Sequence, residues 1–120
     1  MKRSWDTIRE ILFKLEELEP GRTLRPDDFD ESRTDEIAYH VRLLEESGLI
    51  KVSIVEFCGD AEIHFDLERL TWAGHDFLDA IRNETIWTKT KTAIAEKGGS
   101  MTFDIIKAVA ITLAKTTMGI

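Results

Sequence analysis

The stretch Thr34–Ile50, TDEIAYHVRLLEESGLI, constrains this chain more than any other. Ile37, Val41 and Leu44 recur at helical spacing with Ala38 beside them, so one stripe of a helix is apolar. Thr34 stands where an N-cap is expected. Gly48 stands where a left-handed residue is wanted after the last turn. Leu49 is placed to fold back onto Leu44, the hydrophobic contact of a Schellman stop. The period then changes. Ile50, Val52 and Ile54 alternate with Lys51 and Ser53, and Ile63, Phe65 and Leu67 alternate with Glu62, His64, Asp66 and Glu68. Two period-2 runs meeting at Cys58-Gly59-Asp60-Ala61 predict a β-hairpin with its turn near Gly59-Asp60, one face apolar and the other wet.

The flanking segments read as helices. Ser4 is placed to cap a first helix that has Asp6 in its first turn. Trp5, Ile8, Ile11, Leu12, Leu15 and Leu18 form its stripe, and Pro20-Gly21 ends it. Thr23-Leu24 reads as a short extended piece, and Pro26 as the start of a brief second helix through Phe29. Thr71 is placed to cap a fourth helix that carries Trp72, Phe77, Leu78, Ile81 and Trp87 and runs to about Lys97. Gly98-Gly99 breaks it, and Ser100 or Thr102 caps a last helix with Asp104 in its first turn. In that last helix Phe103, Ile105, Ile106, Val109, Ile111 and Leu113 cover nearly the whole circumference, which predicts burial on nearly every side.

In this order the elements give an α+β class: a winged helix-turn-helix of three helices and a hairpin wing, with two additional C-terminal helices. The 120 residues suit a single domain, with 1–70 as the winged-helix core and 71–120 as the helical extension. Cys58 is the lone cysteine, so neither an intrachain disulfide nor a multi-cysteine zinc site is available. The N-terminus lacks a signal-peptide apolar core, and Phe103–Leu113 is too short to span a bilayer. A reducing cytoplasm is the expected location, and no membrane partner is expected.

Two resemblances bear on the fold. HVRLLEESGLI, the hairpin and Leu70-Thr71-Trp72-Ala73-Gly74-His75 resemble the helix-wing-helix segment of many winged-helix regulators, the arsenic-sensing type among them. The metal-sensing cysteine pair of that type has no counterpart here. A closer resemblance runs nearly the length of the chain. MKRSWDTIREILFKLEEL, GRTLRPDDF, AYHVRLLEESGLI, RLTWAGHDFLDAIRNETIW and the C-terminal Gly-Gly helix are similar to the domain-of-unknown-function family DUF2513 of small bacterial and phage or prophage proteins. That resemblance implies a winged-helix-like fold and a mobile-element setting, and brings no catalytic residue with it.

Charge argues against the function the fold suggests. The net charge is −7, and residues 34–70 hold Arg42, Lys51 and Arg69 against nine carboxylates. A helix that reads a groove presents its N-terminal residues to the bases. Here the candidate partner- or DNA-facing residues are Asp35, Glu36, Tyr39, Arg42 and Glu46, with Asp60 at the wing tip. Phosphate neutralisation supplies much of the affinity for DNA, and Arg42 offers little of it. A non-enzymatic regulatory module that binds a protein partner is therefore the leading reading, and a dimeric DNA-binding transcriptional regulator the second. A solvated acidic face with no partner competes with both.

Catalysis and metal binding find no pattern. His40, His64, His75 and Cys58 lack tight ligand spacing, and adjacent carboxylates such as Glu45-Glu46 point to different sides of a helix. His40 reads as a packing or capping histidine, and the three tryptophans as core or interface. No cofactor is expected. A homodimer is, because one small domain has too little to cover the last helix. Its candidate interface is Trp87, Phe103, Ile105, Ile106, Val109, Ile111, Leu113 and Met118.

Overall fold

The structure is a computed structural model that describes residues 1–56 and 63–118. It is α+β: helices α1 (Trp5–Glu16) and α2 (Thr34–Ser47), antiparallel strands β1 (Ile50–Glu56) and β2 (Ile63–Leu70), then helices α3 (Trp72–Ile81), α4 (Glu84–Glu96) and α5 (Phe103–Met118). Two short 3-10 turns, Pro26–Asp28 and Glu31–Arg33, occupy the place of the expected second helix. The expected hairpin turn at Gly59-Asp60, with Cys58, lies outside the described residues. The chain divides into two compact units, Met1–His75 and a second that begins at Asp76.

In the first unit the helices and the sheet share one core. Ile8, Ile11, Leu12 and Leu15 of α1, Ile37, Val41 and Leu44 of α2, and Leu49, Ile50, Phe65 and Leu67 are all buried. Each fully buried side chain of this size contributes about 1.5–3 kcal/mol before ordering costs are subtracted. Ile54 is only half-buried, less enclosed than its place in the alternation implies. The strand pairing carries a register shift between Lys51 and Val52, which leaves Glu68 without an opposite residue. That bulge lets Leu67 and Leu70, three residues apart, both face the core.

The stop of α2 is the one the sequence indicates. Gly48 has φ +77°, Leu49 donates its N–H to the Leu44 carbonyl at 3.3 Å, and Gly48 donates to Glu45 at 3.1 Å. These are the two bonds of a Schellman motif. The start of α2 differs from expectation. Thr34 is the first helical residue, not the cap, and its hydroxyl donates to the Glu31 carbonyl at 2.8 Å. The preceding 3-10 turn runs straight into the helix, so no extended residue stands there to act as a side-chain cap.

Leu24 forms the short extended piece as a bridge to β2: Leu24 donates to the Leu67 carbonyl at 3.0 Å, and Leu67 donates back at 2.8 Å. Thr71 caps α3, accepting from the Gly74 N–H at 3.1 Å while its hydroxyl donates to the Gly48 carbonyl at 2.7 Å. The end of α2 and the start of α3 are thereby tied together. Gly74 fits there because a Cβ would meet the Leu49 carbonyl oxygen at 2.1 Å.

The second unit corrects the long fourth helix. α3 ends at Ile81, and Asn83, in extended conformation, starts α4 by accepting from the Ile86 N–H at 3.0 Å. An asparagine side chain that bonds the backbone ahead of it favours a new helix start over continuation. Within this unit Phe77 and Phe103 stack with ring centroids 4.7 Å apart. Thr102 caps α5, accepting from the Ile105 N–H at 3.4 Å.

Candidate functional site

The first turns of α1 and α2 meet in a polar cluster that takes in Glu36, one of the candidate partner-facing residues. Arg33 places Nη1 at 2.9 Å from both carboxylate oxygens of Glu10, and its Nε bonds Glu36. One guanidinium thus joins two carboxylates by charge-assisted hydrogen bonds, which are stronger than neutral ones. The Thr7 hydroxyl, buried, lies 3.5 Å from both Glu36 and Arg33. Bonding by Glu36, then by Glu10, holds the Arg33 guanidinium above its ordinary pKa. Glu36 is therefore committed to the junction of α1 with α2 and is not a free surface carboxylate. His40 is fully buried beside it. Its Nε2 accepts from the Ser4 N–H at 2.7 Å and its Nδ1 donates to the Glu36 carbonyl at 2.7 Å. It is a capping histidine that satisfies the first backbone amide ahead of α1. Tyr39, half-buried, sets its ring edge-on to His40 at 5.5 Å.

Arg42 is also half-buried, whereas Asp35 and Glu46 are exposed. Asp60 lies outside the described residues. Among the described candidate partner-facing residues, Asp35 lines a concave surface. That surface is a cleft of about 840 Å3 beside the N-terminus of α2. Arg25, Pro26, Asp27, Phe29, Glu31, Thr34, Asp35 and Ala38 line it from the helical side, and Ser53, Val55, His64, Phe65 and Asp66 from the hairpin. Its volume falls within the range of ordinary ligand clefts.

Local chemistry builds the cleft wall. Pro26 presets the first 3-10 turn, and Asp28 accepts from the Arg25 N–H at 2.8 Å. Asp30 caps the second turn. A backbone bond from Ser32 at 2.9 Å, then one from its hydroxyl at 2.8 Å, hold the Asp30 carboxyl below its ordinary pKa. Phe29 packs edge-on to Phe65 at 6.3 Å between these turns and anchors them to the hairpin. Arg25, the one cation among the described residues of the lining, pairs with Asp66 at 3.0 Å. Asp27, Glu31 and Asp35 make no ion pair among the described residues, so the cleft is acidic. The acidic helix signalled this in the sequence; the contributions of Asp27, Glu31 and Asp66 did not stand out, because folding alone brings them together.

The α5 residues divide by exposure. Trp87 and Ile106 are 1% and 0% exposed, so neither offers a surface to a second chain. Phe103, Val109 and Leu113 are half-buried. Ile105, Ile111 and Met118 are exposed at 41%, 38% and 71%. Ile111 and Met118, seven residues apart, project from the same side of α5, and Ile105 from the other flank. A shallow groove beside Ile111 and Met118 has Ala80 and Ala114 in its lining, with Asp76 and Asp79 of α3 and Lys107 and Lys115 of α5. Trp72, expected in a core or interface, is 84% exposed.

Among the described residues no three of His, Cys, Asp or Glu converge on a point where a metal ion would be held. No helix among them is long and apolar enough to cross a membrane.

The family model described as hypothetical protein (DUF2513) matches residues 2–100. An uncharacterised protein of Haemophilus influenzae (strain ATCC 51907 / DSM 11121 / KW20 / Rd) is 41% identical over 114 residues, which covers 94% of this chain and 95% of the relative. No solved structure matches the chain. The chain belongs to the DUF2513 family.

Proposed function

We propose that this DUF2513 protein is a non-enzymatic, regulatory protein-interaction module on a winged-helix scaffold, of the kind carried by phages and other mobile elements. The observation that carries this reading is the acidic cleft at the N-terminus of α2. Asp27, Glu31 and Asp35 stand there without ion-pair partners among the described residues, where a winged-helix DNA reader needs cations against phosphate. The scaffold reading is supported by the order α1, short turns, α2 and hairpin, and by Leu24 bridging β2 as a third short strand.

The module acts as a homodimer in this reading. The support is the Ile111–Met118 side of α5, whose groove has carboxylates on one wall and lysines on the other. A two-fold axis through such a groove sets each wall opposite its complement. A dimeric DNA-binding regulator is the second reading. It draws on the same scaffold and dimer, with exposed Asp35 reading cytosine amino groups.

A photo-crosslinking residue at position 35, used in the native host, separates the two. A nuclease-resistant protein adduct that is lost on moving the crosslinker to Lys89, on α4, supports protein binding. Micromolar binding of random duplex with a steep salt dependence defeats it.

A further inference from the structure

We infer that the acidic cleft takes an extended, basic segment of the partner protein, which adds a strand to the free edge of β2. This rests on the protein-interaction reading above and specifies the chemistry of the partner.

The edge follows from the ladder. Leu67 exchanges both backbone bonds with Leu24, so its N–H and C=O face away from β1. Backbone groups two residues apart in a strand face the same way, so those of Phe65 also point outward. The chain covers Leu67 and then leaves. Pro26 has no N–H to continue the ladder, and its 3-10 turn makes no backbone bond to β2 among the described residues. Phe65 makes no backbone bond on that side to any described residue. Exposed strand edges invite pairing, and folded proteins usually cover them or place lysines along them. Here the open edge faces a cleft in which Phe65 is itself part of the lining.

Charge selects the occupant. A strand-adding peptide gains affinity from main-chain bonds and specificity from alternate side chains. Around this edge the carboxylates Asp27, Glu31 and Asp35 are unpaired among the described residues, while Phe29 and Ala38 supply apolar wall. Lysine or arginine at every second position of the incoming strand meets those carboxylates, and apolar residues at the intervening positions meet the remaining lining. A nucleic-acid strand or an acidic peptide is repelled by the same three groups.

The probe is a fluorescein-labelled octapeptide that alternates lysine or arginine with valine or isoleucine, titrated into the full chain. Saturable binding is expected, with slowed exchange of the Phe65 amide proton. Methylating alternate backbone nitrogens of the peptide weakens binding by about tenfold, the size of one or two lost ladder bonds. Joint Asp27→Asn, Glu31→Gln and Asp35→Asn substitution weakens it by about fivefold, in line with exposed ion pairs. Failure to bind overturns the inference. So does binding that survives methylation at both sets of alternate nitrogens, or that leaves Phe65 exchange unchanged, since that is charge attraction without a strand. A position-35 protein adduct found when the octapeptide does not bind leaves the interaction reading standing and removes this one alone. Octapeptide binding without any adduct keeps the site and removes the host partner.

Discussion

The two compact units treat their apolar and polar groups differently. In Met1–His75 the aliphatic stripes of α1 and α2 are buried, with Ile8, Ile11, Leu12 and Leu15 on one and Ile37, Val41 and Leu44 on the other, and polar groups at the helix ends are bonded to one another: Arg33 to Glu10 and Glu36, His40 to Ser4, Thr71 to Gly48. From Asp76 on, α5 buries Ile106 and Ala110 but leaves Ile105, Ile111 and Met118 to solvent. A helix that is apolar nearly all round is expected to be enclosed; this one is not enclosed within its own chain. The helix ends of the first unit are bonded to one another, although Val55 and Trp72 stay exposed there, and in the second unit Ile105, Ile111 and Met118 stay exposed on α5. Substitutions at the joints of the first unit should therefore cost folding stability, whereas substitutions on the exposed side of α5 should cost assembly.

The largest stability loss is expected at Gly74→Ala. The added Cβ meets the Leu49 carbonyl oxygen at 2.1 Å, and that carbonyl already accepts the Thr71 N–H at 3.0 Å. Neither backbone moves without losing the bond that joins the hairpin's ends to α3. Overpacking of this kind costs about 3 kcal/mol, read as a lowered urea midpoint. A midpoint within about 0.5 kcal/mol of the parent would show that this joint yields readily.

His40→Ala comes next. It empties a fully buried site and leaves the Ser4 N–H, which His40 accepts at 2.7 Å, without its partner. The expected cost is about 2 kcal/mol, combining the cavity with an unsatisfied amide. A near-neutral effect in chemical denaturation would mean that water replaces the ring. Gly48→Ala is smaller, about 1 kcal/mol, and differs in cause. Nothing lies within 4 Å of a Cβ at Gly48, so the penalty comes wholly from the backbone at φ +77°. An unchanged or raised midpoint would show that the left-handed turn costs alanine nothing there.

The contrast between these two glycines shows what was legible in the sequence. Gly48 announces itself locally, because a stripe ends, a glycine follows and Leu49 returns to Leu44; the end of α2 at Ser47 and the two strands after it agree with that local pattern, while its start takes in the expected cap Thr34. Gly74 depends on a carbonyl twenty-five residues earlier in the chain and shows no local signal. The same distinction separates the readable part of the cleft from the rest. Asp35 sits on an acidic helix start, but Arg25 and Asp66 are 41 residues apart and meet only because Leu24 bridges Leu67. The unpaired Glu68 belongs to this class too, since a bulge is a property of two strands together. The break at Asn83 does not. An asparagine followed by Glu84 carries the usual marks of a helix start, and the apolar run from Phe77 to Trp87 outweighed them.

The last prediction has the smallest effect on stability and the sharpest effect on assembly. Ile111 and Met118 lie on one side of α5 and contribute to the shallow groove with Ala80 and Ala114. Converting both to lysine removes no buried contact of consequence, so the unfolding midpoint should stay within about 0.5 kcal/mol of the parent. In a symmetric pair the same change sets like charges and desolvated ammonium groups against each other in both halves of the interface. Light scattering at high micromolar concentration should therefore report a dimer for the parent and a monomer for the double variant. Ile105→Lys alone, on the other flank of α5, should leave the dimer intact. A monomeric parent would remove the dimer altogether. A variant that dimerises as the parent does would move the interface off this side of α5, and one broken only by Ile105→Lys would move it to the other flank. A double variant that unfolds readily would reverse the comparison of the two units, since this side of α5 would then be holding its own protomer together.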